Sequence, residues 1–162
     1  MSGSGGAGRR APRLVLMCGV PGSGKTTYAR ALEAQGFRRF AIDHDAFDLG
    51  YTCADDLAAA VVAAIRERQR EEIAACLDDG VDVVIDHIHA SRRERDVHRA
   101  IGEERGAQVE VVYLPVDPDD ARRRLAQRRG EHRDDFVVSE AMLERYLRIL
   151  QPPTPDESRG SP

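Results

Sequence analysis

Cys18-Gly19-Val20-Pro21-Gly22-Ser23-Gly24-Lys25-Thr26-Thr27 contains the pattern G-x-x-x-x-G-K-[ST] complete, as Gly19, Gly24, Lys25 and Thr26. The apolar run Leu14 to Met17 precedes it and a helical pattern follows. Strand, glycine-rich turn and helix in that order make a cradle for a polyphosphate. The N–H groups at a helix N-terminus have no intrahelical acceptor and lie at the positive end of the helix dipole, so they attract anions. Gly19, Gly22 and Gly24 let the backbone come close, and Pro21, Ser23 and Thr27 complete the loop. Lys25 is placed to reach the outer phosphates, and the Thr26 hydroxyl to ligate Mg²⁺. Lys25 is the sole lysine of the chain, so the pattern does not arise from lysine abundance.

Away from this stretch the composition excludes more than it assigns. At 162 residues the chain has the length of one domain. Its formal net charge of −4 supplies no global basic field for nucleic acid or a membrane surface. Cys18, Cys53 and Cys76 lack C-x-x-C spacing, which argues against a zinc or disulfide framework and fits a reducing, cytoplasmic setting. No apolar run approaches membrane-spanning length. Residues 1–11 are Gly/Ser-rich and residues 152–162 Pro/Ser/Gly-rich. Both are expected to be disordered tails around a domain at 12–151.

Along the chain, strands and helices alternate. The first strand and loop lead to a helix from Lys25 to Gln35, closed by Gly36. Phe40 to Ile42 reads as a second strand that stops at Asp43-His44-Asp45, and Asp55 to Asp79 as a long amphipathic helix. Val81 to Ile85 is a third strand, ending at Asp86, and Ser91 to Glu94 forms a capping box that opens a helix to about Arg105. Val109 to Leu114 is a fourth strand. Asp117-Pro118-Asp119-Asp120 starts a helix that runs to Gly130, and Ser139 starts the last one. This order implies an α/β, three-layer fold: a short parallel sheet with helices on both faces and a C-terminal helical lid. Its ligands would lie outside the carboxyl ends of the strands.

Carboxylates, histidines and arginines leave those same ends. Asp45 lies where it could face a γ-phosphate and take a proton from an incoming hydroxyl; Asp43 is either a substrate contact or a turn cap. Asp86, after Val83-Val84-Ile85, is placed to serve Mg²⁺ or its water. His44, His87 and His89 gather at two strand ends without metal-ligand spacing, which reads as substrate hydrogen bonding or simple solvation rather than a metal site. Asp48 and Arg93 stand nearby as further substrate candidates. Arg124 and Arg128, at i and i+4, project from one helix face toward the polar segment Gly130 to Val138, expected to be a mobile lid. Which of Arg124, Arg128 and Arg129 reaches transferring phosphate stays open.

The order of these motifs over Leu14 to Leu150 resembles the small P-loop kinases of AAA type, among them the phage-type polynucleotide 5′-kinases, chloramphenicol phosphotransferase and the zeta toxins. The resemblance implies an ATP- and Mg²⁺-dependent transferase with Asp45 as general base, Lys25 and Thr26 on ATP and Mg²⁺, and lid arginines clamping the phosphates. The acceptor it implies is a hydroxyl of a small molecule, such as an antibiotic or a nucleoside-like compound. A nucleic-acid end kinase and a nucleotide-hydrolysing switch are the alternatives. The switch lacks support because a guanine-reading N-K-x-D needs a second lysine. Against the end kinase, the arginines that flank the base in polynucleotide kinases are replaced here by His44 and Asp48. No Lys or Arg falls between Phe40 and Ile65, so the wall beside Asp45 is expected to repel phosphates and favour a neutral or cationic acceptor.

Overall fold

The computed structural model describes residues 8–157. Its centre is a parallel four-stranded sheet of β1 (Arg13–Cys18), β2 (Arg38–Phe40), β3 (Val83–Ile85) and β4 (Gln108–Tyr113), in the order β2-β3-β1-β4. β1 pairs with both β3 and β4, with Leu16 opposite Ile85 on one side and Val111 on the other. A strand covered on both faces must be apolar at every position, and Leu14 to Cys18 are all buried.

The two faces follow from the period of two along a strand. Leu14, Leu16 and Cys18 pack with Ile73, Cys76 and Leu77 of α3 (Ala59–Asp78) and with Ile101 of α4 (Arg92–Glu103). Val15 and Met17 face the other way, against Ala29 and Leu32 of α1 (Lys25–Ala34). A third cluster joins Val20 of the glycine-rich loop to α5 (Pro118–Ala126) and α6 (Glu140–Ile149) through Ala121, Leu125 and Leu143. The Ser91–Glu94 capping box forms as written in the sequence, and Asp117 caps α5 ahead of Pro118.

Three segments differ from the sequence expectation. The second strand ends at Phe40, and Ile42–Asp48 is a short helix, α2, rather than a strand end and loop. Ile42, Ala46 and Phe47 pack beside Ile65 and Phe136, an apolar i, i+4, i+5 stripe that favours helix. The long helix begins at Ala59 after a 3₁₀ turn at Ala54–Asp56, not at Asp55. Residues 152–157 are not a loose tail: Glu157 is buried and paired with the buried Arg95 at 2.7 Å. Residues 1–7 and 158–162 of the expected tails lie outside the described residues. Among the described residues, no helix is long and apolar enough to cross a membrane.

Candidate active site

The glycine-rich loop leaves β1 and turns into α1 with two left-handed residues, Gly22 at φ 82° and Gly24 at φ 94°. A side chain is excluded at Gly19, where a Cβ would lie 2.6 Å from Ser23 Oγ and 3.0 Å from the Leu114 carbonyl. At Gly22 it would meet the Ala121 carbonyl at 2.9 Å. Neither a capping side chain nor a first-turn acid occupies the N-terminus of α1, so its donors stay available to an anion. The Ser23 hydroxyl is buried inside the loop without a hydrogen-bond partner. Arg124 donates to the Gly22 carbonyl at 2.9 Å, bracing the loop from behind. Thr27 is exposed on the first turn of α1.

Lys25 is buried and donates to the Val20 carbonyl at 3.1 Å; burial lowers its pKa from the ordinary lysine value. The Thr26 hydroxyl donates to Asp86 at 3.3 Å. Two oxygen ligands, one on the first turn of α1 and one at the end of β3, are thereby brought together beside the phosphate loop, the donor chemistry that Mg²⁺ prefers. Asp86 also accepts from Arg39 Nε at 3.2 Å. Arg39 was not singled out from sequence. It sits in β2 opposite Val84, so its reach across the sheet end to Asp86 depends on a strand register that local pattern does not carry.

These groups line a cavity of about 450 Å³ that also takes in Asp43, His44, His87, Arg128 and Asp134. Asp43 is half-buried on its wall, and burial, followed by the charge of Asp86, raises its pKa above the ordinary 3.8. Asp45 does not line this cavity. Its carboxylate pairs with Arg68 at 2.9 Å and accepts from Gln69 at 2.8 Å. Residues two apart are turned by about 200° on an α-helix, so Asp43 and Asp45 look opposite ways and of the two only Asp43 lines the cavity. Asp48 is likewise outside the cavity, paired with Arg133 at 2.8 Å.

The segment Gly130 to Val138 is strapped down. Asp134 accepts from both Arg39 and His44 at 2.6 Å. Burial acts to raise the Asp134 pKa, but these hydrogen bonds outweigh it and hold it down to about 2. Phe136 is 1% exposed and packs with Ala46 and Ile65. Val137 bonds both ways with the 52–54 segment: its N–H donates to the Thr52 carbonyl at 2.9 Å, and its carbonyl accepts from Ala54 at 2.8 Å. Arg128 donates to the Phe136 carbonyl at 3.3 Å and lines the cavity; Arg124 does not line it.

The remaining wall is apolar and basic. Leu57, Val62, Ala63, Met142 and Tyr146 alternate with Arg66, Arg133 and Arg145. This corrects the expectation of a cation-free wall, because the folded chain delivers arginines from α3, the strap and α6 rather than from Phe40 to Ile65. His87 touches the cavity, whereas His89 and Arg93 border a second, smaller one. His87, His89 and His98 form a buried trio; burial depresses the pKa of His87 well below 6.5, that of His89 to about 4 and that of His98 to about 3.

A phosphate loop at the end of a central parallel strand, with helices on both faces and a strapped segment over the strand ends, is the P-loop kinase fold. The chain belongs to the AAA_33 family of AAA domains, whose model matches residues 14–153. Similar solved structures agree in fold. A chain of the Pnkp1/Rnl/Hen1 RNA repair complex has a TM-score of 0.71 at 19% identity, covering 91% of this chain and 47% of that one. A sugar kinase from Janibacter sp. HTCC2649 has 0.66 at 25% identity, covering 91% and 82%. A gluconokinase from Sinorhizobium meliloti 1021 has 0.58 at 22% identity, covering 91% and 80%. The chain thus spans less than half the length of the RNA-repair chain it matches. No curated protein matches it.

Proposed function

We propose that the chain is an ATP-dependent phosphotransferase that moves the γ-phosphate of ATP to a hydroxyl group of a small molecule, with Asp43 as the general base. The observation that carries this reading is the convergence of Lys25, the Thr26–Asp86 pair and Asp43 on one cavity bordered by the strap. A triphosphate suits the loop because the Ser23 hydroxyl is an orphaned polar group there and the α1 N-terminus carries neither a capping side chain nor a first-turn acid. Thr26 and Asp86 would hold Mg²⁺, which when bound offsets charge on the phosphate oxygens. Lys25 and Arg128 add positive charge around the transferred group. Asp43 accepts the acceptor's hydroxyl proton as that oxygen bonds to the γ-phosphorus. The bond from phosphorus to the bridging oxygen breaks, and ADP leaves. Arg124 positions the loop through Gly22, and the strap excludes water that would otherwise take the phosphate.

The cavity volume supports a small acceptor, antibiotic-like or nucleoside-like in its apolar body, and the arginines of the wall favour a neutral or anionic one. Arg66, Arg133 and Arg145 also give a polynucleotide 5′-kinase reading its support, so a 5′-hydroxyl oligonucleotide belongs in the acceptor panel. With an acceptor found by ATP-dependent mass gain, Asp43→Asn should lower turnover by about 10² to 10⁴ with ATP affinity nearly kept, and Asp45→Asn by less than about tenfold. The reverse ranking would return the base to Asp45.

A further inference from the structure

The end of β3 and the helix α4 bring together three histidines that phosphate transfer does not use. His87, His89 and His98 are all buried, and one ring nitrogen of each lies within 4.8 Å of those of the other two. Their hydrogen bonds assign the tautomers. The amide NH₂ of Gln69 donates to the Ala41 carbonyl at 3.1 Å and to Asp45 at 2.8 Å, so its carbonyl oxygen is the acceptor for His87 Nε2 at 2.8 Å. His87 therefore carries its proton on Nε2 and a lone pair on Nδ1. His89 Nδ1 stands 2.5 Å from the Met17 carbonyl, which fixes its proton there and leaves the lone pair on Nε2. That Nε2 faces His98 Nδ1 at 2.8 Å. A ring N–H held by an oxygen acceptor, as in His87 and His89, is how outer partners orient an imidazole for a metal; the His89 Nε2 lone pair accepts from His98 Nδ1–H, the proton a metal would replace. His89 adopts φ 49°, a conformation that non-glycine residues rarely take, so its ring is held in place at a backbone cost.

We propose that His87, His89 and His98 form a site for a divalent transition ion of the zinc class, separate from the Mg²⁺ position at Thr26 and Asp86. Imidazole nitrogen selects zinc, cobalt, nickel or copper over magnesium, which takes oxygen. Zinc–nitrogen bonds of about 2.0–2.1 Å need the His89–His98 pair to open by roughly half an ångström and the His98 proton to move to Nε2. A cavity of about 250 Å³, bordered by the three histidines with Arg66, Arg70, Arg93 and Glu94, gives the ion its entry and leaves a fourth position to water. The arginines oppose a divalent charge, so the site binds less tightly than a closed structural zinc centre; Glu94 offsets part of their field. The spacing of His87 and His89 alone conceals the site, because the third ligand comes from α4. A bound ion would pin the strand end that presents Asp86 to α4.

The test is a titration of the full chain, stripped of metal by a chelator, with Co²⁺ in excess Mg²⁺ and without nucleotide. One equivalent should bind and give the visible absorption of four-coordinate cobalt. His98→Gln and, separately, His87→Gln should each weaken binding by about tenfold or more, while His132→Gln, at an exposed histidine, should leave it unchanged. Absence of the cobalt spectrum in the unmutated chain overturns the proposal whether or not the variants fold. Unchanged affinity in both folded variants does so too. Since no phosphate transfer is read, either failure leaves the proposed function standing.

Discussion

Asp43 and Asp45 are two positions apart and chemically identical, yet their surroundings differ. Asp45 is paired with Arg68, accepts a hydrogen bond from Gln69 and lies outside the cavity. Asp43 lies near Lys25 and Arg128, but burial and Asp86 prevail and raise its pKa above 3.8. A base must be ionised to act, so turnover should fall as pH drops through the raised Asp43 value. The acid limb should stand higher in pH than an ordinary carboxylate would put it. A pH profile of kcat checks this: the limb should vanish from the residual activity of Asp43→Asn, and a limb unchanged in that variant would assign it to another group. The sequence already held both carboxylates as candidates. What decides between them is the angular offset along α2, visible only once Ile42–Asp48 is known to be helical. Arg39 is illegible in the sequence for a similar reason, since nothing local marks an arginine in a three-residue strand as the partner of the aspartate that follows the neighbouring one.

At the scale of elements, the phosphate loop, the capping box of α4 and the start of α5 were legible because each is a local pattern whose chemistry is complete within a few residues. The strap over 130–138 was legible only as polar. Its two anchors act over long sequence distances: Asp134 reaches Arg39 and His44, and Phe136 fills a gap between α2 and α3. Phe136 thus makes the strap part of a core, and a core phenylalanine truncated to alanine costs about 3–5 kcal/mol. Phe136→Ala should show that loss in urea unfolding and faster amide exchange through 130–138. Stability within about 0.5 kcal/mol of the unmutated chain would mean that the strap is held by its ion pairs and backbone hydrogen bonds without the phenylalanine.

Across the whole molecule, the C-terminal segment is tied to the chain that follows β3. Glu157 pairs with Arg95, which also donates to the His89 carbonyl at 2.8 Å, so the last described turn is tied to the loop that follows Asp86. Removing one partner of a buried pair strands the other charge, at a cost of about 3–5 kcal/mol. Glu157→Ala should lose that much in urea unfolding, and a negligible change would show the pairing to be dispensable. The arginines of the cavity wall likewise come from three separate elements, α3, the strap and α6, and no reading of residues 40–65 could have placed them. What binds all scales together is transfer through the loop that holds Lys25. Its most direct measurement offers ATP labelled at the γ-phosphate, with Mg²⁺ and the acceptor panel, to the unmutated chain and to Lys25→Ala, whose thermal melting without nucleotide should hardly change. The expected result is label on a hydroxyl compound with the unmutated chain and none with the variant. Label appearing only as inorganic phosphate whatever compound is present, or transfer that survives Lys25→Ala, would contradict it.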